Sequence, residues 1–168
     1  MSTTTSILIG VALVAGGVLW YLFRPDALVL NKTVNEPFPG AGQSSLAESQ
    51  GMGMELHSGT FHSNAHETKG VATIYQLAEG RRVLRLTEFS TSNGPDVRVY
   101  IVAATDVQEE DAAKRAGIVD LGALKGNIGD QNYDVPAELD LNKYRAVSIW
   151  CRRFSVNFGA APLASLHR

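Results

Sequence analysis

Beyond residue 56 the chain alternates apolar and polar positions in short runs broken by glycine, asparagine and proline. Gly70–Leu77 (GVATIYQL) and Arg82–Phe89 (RVLRLTEF) flank Ala78-Glu79-Gly80-Arg81, which predicts two strands joined by a hairpin turn. Ser92-Asn93-Gly94-Pro95-Asp96 is a turn sequence. In Val97–Ala103, which follows, Val97, Val99, Ile101 and Ala103 alternate with Arg98, Tyr100 and Val102, predicting a half-buried strand. Asp106–Ala116 reads as a short helix, with an Asp cap, Glu109 three residues on, and Lys114-Arg115 before Gly117. On that reading Glu109-Glu110-Asp111 is a solvated helix start and not a pair of working carboxylates. The stretch from Asp120 to Tyr133 is rich in turns, and strands resume at Arg145–Cys151 and Phe154–Phe158. Short strands with turns about every eight to twelve residues predict an all-β domain, a sandwich or jelly-roll-like barrel with one short helix.

The front of the chain has a different pattern. Ile7–Phe23 (ILIGVALVAGGVLWYLF) is seventeen residues without a charge, the lower limit for a transmembrane helix. Trp20 and Tyr21 stand at its end, where amphipathic rings prefer the interface, and Arg24-Pro25 closes it. A cleaved signal peptide would need a basic start and small residues at the end of the apolar run. Here MSTTTS has no Lys or Arg, and Ala15-Gly16-Gly17 lies inside the run. Residues 1–27 are therefore expected to be an uncleaved N-terminal transmembrane anchor. Residues 28–56 keep no period and hold Pro37, Pro39, Gly40, Gly42, Gly51 and Gly53, which is the composition of a stalk. Val34–Phe38 is the part of it expected to pack back on the domain formed by residues 57–168.

Charge and composition remove several functions. From His57 onward 13 Lys or Arg face 13 Asp or Glu, so the domain has no basic footprint for a phosphate backbone, and no nucleic-acid partner is expected. A phosphate-binding glycine loop, a nucleophile elbow, an HExxH and a CxxC are all missing, so no stand-alone enzyme activity is expected. Gly126 and Gly129 have no apolar helix after them and read as turn formers.

One cysteine, Cys151, excludes an intrachain disulfide. Strand alternation puts it on the face of Val147 and Ile149, with Trp150 and Ser148 on the other. It is read either as a buried small hydrophobe or as a reactive thiol, because Arg152-Arg153 follows it and positive charge beside a thiol favours the thiolate. Met52, Met54, His57, His62 and His66 are of the residue types that bind copper. Their spacing fits no motif, and they are read as scattered surface residues, with no metal site assigned.

The order of motifs resembles the DM-thirteen domain family, the electron-transfer DM domain. The stretches that carry the resemblance are GTF at 59–61, His66 with Gly70, EFSTSNGPDVRVYI at 88–101, DLGALKGNIGDQNYDVP at 120–136, DLNKY at 140–144 and SIWCRRFSVNFGAAPL at 148–163. The resemblance implies a β-rich, often extracytoplasmic domain found with DOMON-type redox modules, whose proposed redox-active cysteine falls on Cys151. Arg152 and Arg153 match a more variable pair. The expectation is a membrane-tethered redox module, held by Ile7–Phe23 with its domain outside the cytoplasm and working with a redox partner protein. Arg24 and Lys32 alone would favour the cytoplasmic side; the family habit outweighs them. No cofactor is named by the resemblance. The alternative is a non-catalytic binding or matrix-interaction domain with a structural cysteine.

Overall fold

The computed structural model describes residues 3–23, 30–39, 53–108 and 117–166. The alternating runs form ten strands: β1 (Met54–Thr60), β2 (His62–Ser63), β3 (Lys69–Gln76), β4 (Arg82–Ser90), β5 (Val97–Val102), β6 (Ile118–Ala123), β7 (Gln131–Val135), β8 (Ala146–Cys151), β9 (Val156–Pro162) and β10 (Ala164–Ser165). They pair antiparallel in two sheets of five, ordered β10-β1-β3-β4-β7 and β2-β9-β8-β5-β6. Neither sheet closes on itself, so of the two expected architectures the sandwich is the one formed. The β3–β4 turn closes as its sequence predicts. Leu77 N–H donates to Arg81 O, Gly80 N–H donates to Leu77 O, and Gly80 takes a φ of 83° that a side chain would resist.

The facing sides of the sheets supply the core. Ala72, Ile74, Leu84, Leu86 and Tyr133 of the first sheet meet Val99, Ile101, Val147, Ile149 and Ala161 of the second. β5 differs from the half-buried strand its alternation predicts. Tyr100 and Val102 are buried as well, in a second cluster with Val107, Ala146, Trp150 and Ala160 on the outer side of the second sheet. Val107 is the cover, and it is tied down by its carbonyl, which accepts from Asn64 Nδ2 (2.9 Å) and Asn157 Nδ2 (3.1 Å). The helix expected over Asp106–Ala116 falls largely outside the described residues, since 109–116 are not among them.

Residues 30–39, read from composition as stalk, lie on the domain. Val34 N–H donates to Ile128 O (2.9 Å), Glu36 N–H donates to Asp130 O (2.9 Å), and Thr33 bridges Ile128 in parallel. The expected return of Val34–Phe38 is thus present: Phe38 meets the Tyr75 ring edge-on with centroids 5.0 Å apart. β1 also begins at Met54, inside the stretch read as stalk.

The apolar N-terminal run forms one helix, α1 (Thr3–Phe23), with no charged residue in its first or last turn. Its described side chains, those of residues 5–21, are exposed. Among the described residues no helix is long and apolar enough to cross a membrane. The spanning helix expected over 7–23 is therefore without structural support.

Candidate functional site

Cys151 ends β8 on the inner face, as alternation predicts, with its partners Val97 on β5 and Val156 on β9. The thiol is fully buried in the main core. What covers it is the loop before β5. A side chain on Gly94 would meet Val97 Cγ2 at 2.8 Å, Phe158 Cζ at 3.1 Å and Cys151 Sγ at 3.6 Å. Gly94 thus lies near the sulfur together with the Val97 and Phe158 side chains. Glycine is required because a Cβ would have to enter space that two core side chains already fill.

The chain turns outward after Cys151. Arg152 N–H donates to Asp96 O (2.8 Å), and its guanidinium reaches Asp96 Oδ2 at 2.8 Å on the surface. Arg153 and Phe154 are exposed in the same turn, and Ser155 takes a φ of 55°. Of the three residues singled out in the sequence, one lies inside the sandwich and two lie outside it. The charge of Arg152 goes to Asp96.

Above Gly94 is a cleft of about 420 Å³, walled by Leu30–Lys32, Asn93–Val97 and Ala123–Asn127. Asn127, 3% exposed, holds the walls together. Its Oδ1 accepts Lys32 N–H (2.7 Å), and its Nδ2 donates to Asn31 Oδ1 (2.9 Å) and Thr91 O (3.0 Å). Asn93 Nδ2 donates to Leu30 O. Gln131 shapes the third wall from beneath: its Oε1 accepts Lys125 N–H, Gly126 N–H and the Tyr133 hydroxyl, and its Nε2 donates to Gly126 O at 2.7 Å. Burial pushes the Tyr133 hydroxyl up to about 12, so it remains a donor throughout the physiological range. Gly126 and Gly129 are more than turn formers. A Cβ on them would stand 2.4 Å from Lys32 O and 2.2 Å from Val34 O, so both are needed for the 30–36 strap to approach.

The strap is also held by charge. Lys125 Nζ donates to both oxygens of Glu36 (2.8 and 2.9 Å), and Asn132 N–H donates to Glu36 Oε2 (2.8 Å). Arg85 reaches Asp130 Oδ2 at 2.7 Å and Glu36 O at 3.1 Å. None of Asn93, Asn127, Gln131 or Glu36 was singled out by sequence reasoning. Gln131 left a trace, as a polar residue in step with buried Tyr133 and Val135 on β7.

The histidines of the N-terminal half are not brought together into one group. His57 lies on β1 of the first sheet and His62 on β2 of the second, where its Nε2 pairs with Asp106 Oδ1 at 2.8 Å. His66 packs on the Phe158 ring with centroids 4.0 Å apart. Met52 lies outside the described residues. Among the described residues no three His, Cys, Asp or Glu side chains are grouped as a metal site.

Fold and site together define an antiparallel β-sandwich module with one thiol sealed beneath a cleft built from three loops. Residues 60–163, well over half of the chain, match the family described as Electron transfer DM13, and the chain belongs to that family. The family's description names electron transfer. No curated protein and no solved structure matches.

Proposed function

We propose that this chain is a membrane-attached, extracytoplasmic electron-transfer module whose redox group is Cys151, addressed through the cleft above it. The observation that carries this reading is Gly94, which lines the cleft while its Cβ position lies 3.6 Å from Cys151 Sγ, beside Val97 and Phe158. With a single cysteine in the chain, disulfide exchange needs a second sulfur from a partner. The Cys151 thiolate attacks one sulfur of the partner's disulfide, a mixed disulfide forms as that S–S bond breaks, and the leaving thiolate takes up the proton given up by Cys151. The Asn93–Val97 loop must shift for the sulfurs to meet. The test is alkylation of the folded full-length chain beside the denatured chain, together with capture of a mixed disulfide from a small aromatic disulfide. Reaction in the folded state supports the reading, and a thiol that reacts only after unfolding removes it.

A second reading has its own observation. A fully buried sulfur packed against Val97 and Phe158 is what a structural cysteine requires, and the cleft then serves a non-catalytic binding or matrix-interaction domain. The same experiment separates the two.

Membrane attachment rests on α1. Its run is apolar on all sides, which suits the interior of a bilayer better than its surface. The apolar part of it, Ile7–Phe23, is seventeen residues, about 26 Å of helix, somewhat short of a hydrocarbon core of about 30 Å. The full chain should float with vesicles after a carbonate wash, and protease outside intact cells should reach the domain. Release by carbonate removes the anchor, and protection from external protease reverses the orientation.

A further inference from the structure

Of the eight asparagines in the chain, Asn93 alone is followed by glycine. An asparagine side chain can cyclise on the backbone nitrogen of the next residue, and a following glycine puts no side chain in the way. The reaction is slowed where that nitrogen is committed to a helix or a sheet ladder. Asn93 and Gly94 lie between β4 and β5, outside any helix or strand, and both are partly exposed. The contrast is with Asn127 and Asn157, both buried. Asn127 has both ends of its amide hydrogen-bonded, and Asn157 is set within β9.

The nitrogen that cyclisation removes is the one that holds the start of the strap, since Asn93 Nδ2 donates to Leu30 O. We propose that Asn93-Gly94 is a self-modifying site, at which conversion of Asn93 to aspartate or isoaspartate unlatches Leu30 and moves the loop beside Cys151. The Gly94 backbone nitrogen gives up its proton and bonds to Asn93 Cγ. The C–N bond of the side-chain amide breaks, and ammonia leaves with that proton. Water then opens the imide ring at either carbonyl. One opening gives aspartate, and the other gives isoaspartate, in which the main chain runs through the side-chain carbons.

Either product is a carboxylate, which only accepts hydrogen bonds, so Leu30 O loses its donor and faces a negative charge. Isoaspartate also lengthens the main chain by a methylene next to Gly94. A carbon added on Gly94 itself would already stand 2.8 Å from Val97 Cγ2 and 3.1 Å from Phe158 Cζ. Those side chains pack with Cys151 in the core, so the loop has to shift where it covers the sulfur. The later anchors of the strap, Val34 on Ile128 and Glu36 on Lys125, do not involve Asn93 and remain. The change runs one way and in proportion to hydroxide, because the attacking nitrogen must lose its proton. The site therefore records the age of the molecule, whichever role the thiol has.

The test incubates the full-length chain in mild detergent at neutral and mildly alkaline pH, beside the same chain in denaturant. Peptide mass spectrometry reads the amide-to-acid change at each asparagine, and an isoaspartate-specific methyltransferase with a labelled methyl donor reads the isoaspartyl share. In the folded chain conversion should be confined to Asn93, should include isoaspartate and should quicken with pH. Amide exchange at Lys32 should then be several-fold faster than in the fresh chain, with Val34 still protected, and Asn93→Asp should show the same from the outset. Asn93→Gln, whose longer side chain closes its ring far more slowly, should neither convert nor loosen with time. A folded chain that keeps Asn93 while the denatured chain converts overturns the site, and so does conversion spread over the other asparagines. Conversion at Asn93 with unchanged exchange at Lys32 overturns the latch. Cys151 should alkylate several-fold faster in the converted chain than in the fresh one, and equal rates overturn the loop movement. A fresh chain whose thiol does not react removes the redox reading alone.

Discussion

A methyl group on Gly94 would stand 3.6 Å from the sulfur of Cys151, two residues 57 positions apart in the chain brought into one contact by the β5–β8 pairing. The glycine leaves room there for the Val97 and Phe158 side chains, which lie at 2.8 and 3.1 Å from the same point, and the three groups bury the sulfur together.

Gly94→Ala tests the seal. The new methyl would meet Val97 Cγ2 at 2.8 Å and Phe158 Cζ at 3.1 Å, so both side chains or the loop must give. A loss of about 1–3 kcal/mol is expected, as for other overpacked cores. Chemical denaturation measures it, and an unchanged midpoint would show that the loop yields freely. Alkylation of Cys151 in the same variant should be faster than in the parent chain.

Cys151→Ser should be less stable than Cys151→Ala. The alanine leaves a small void, whereas the serine buries a hydroxyl among Val97, Phe158 and other apolar groups, at about 1–3 kcal/mol if it finds no partner. Denaturation midpoints of the two variants give the order. A serine variant equal to or better than the alanine variant would place a polar partner beside the sulfur.

Asn127→Ala should free the strap. It leaves Lys32 N–H without its acceptor and Thr91 O without its side-chain donor, at about 1–3 kcal/mol for the unsatisfied groups. Amide exchange should quicken at Lys32 and Val34, while amides in β3 and β4 keep their protection. Uniform loss across the domain would show instead that the strap and sandwich melt as one.

Acid should loosen the strap before it unfolds the sheets. Burial would raise the Glu36 carboxyl, but the hydrogen bonds from Lys125 and Asn132 N–H, with the charges of Lys125 and Arg85, outweigh it and hold the group below its ordinary 4.5. A depressed carboxylate stabilises the fold above its unfolded value, and that contribution is lost as pH falls through the folded value. Exchange at Asn132 and Val34 should therefore rise below about pH 4.5 in the parent chain. In Glu36→Gln the strap should be loose already, with no further acid step at these amides.

His57 carries the opposite sign of group in a different window. Burial first, then the charges of Arg145 and Arg82, lower it from 6.5, and its Nδ1 is buried without a partner. The unfolded chain binds the proton more readily, so stability should fall as pH drops below about 6.5 toward the folded value. His57→Leu should remove that slope from a plot of denaturation midpoint against pH.

The strands were legible because their alternation is local. Val147, Ile149 and Cys151 face the main core and Trp150 the second cluster, as period two requires. That β5 is buried on both faces was not legible, because Val107 covers Tyr100 and Val102 from another part of the chain. The strap was legible only in part, since the return of Val34–Phe38 was expected while Leu30–Thr33 read as stalk, and the reason is related. Pro37, Pro39 and the lack of a period report only that no helix or strand forms, while Asn127, Gly126 and Gly129 accept that irregular backbone from about 95 residues away. The cysteine could be singled out by its uniqueness, but its cover and its cleft come from loops far apart in sequence, and no single stretch holds the pattern.

The strand order also governs when the domain can form. β9 (Val156–Pro162) is an inner strand of the second sheet, between β2 and β8, and β10 (Ala164–Ser165) lies beside β1 in the first. Each sheet thus depends on pairings distant in sequence, β1 with β10 and β2 with β9, which makes formation of the sandwich slow. Until β9 and β10 join, β1, β2 and β8 keep unpaired edges on which other chains can add.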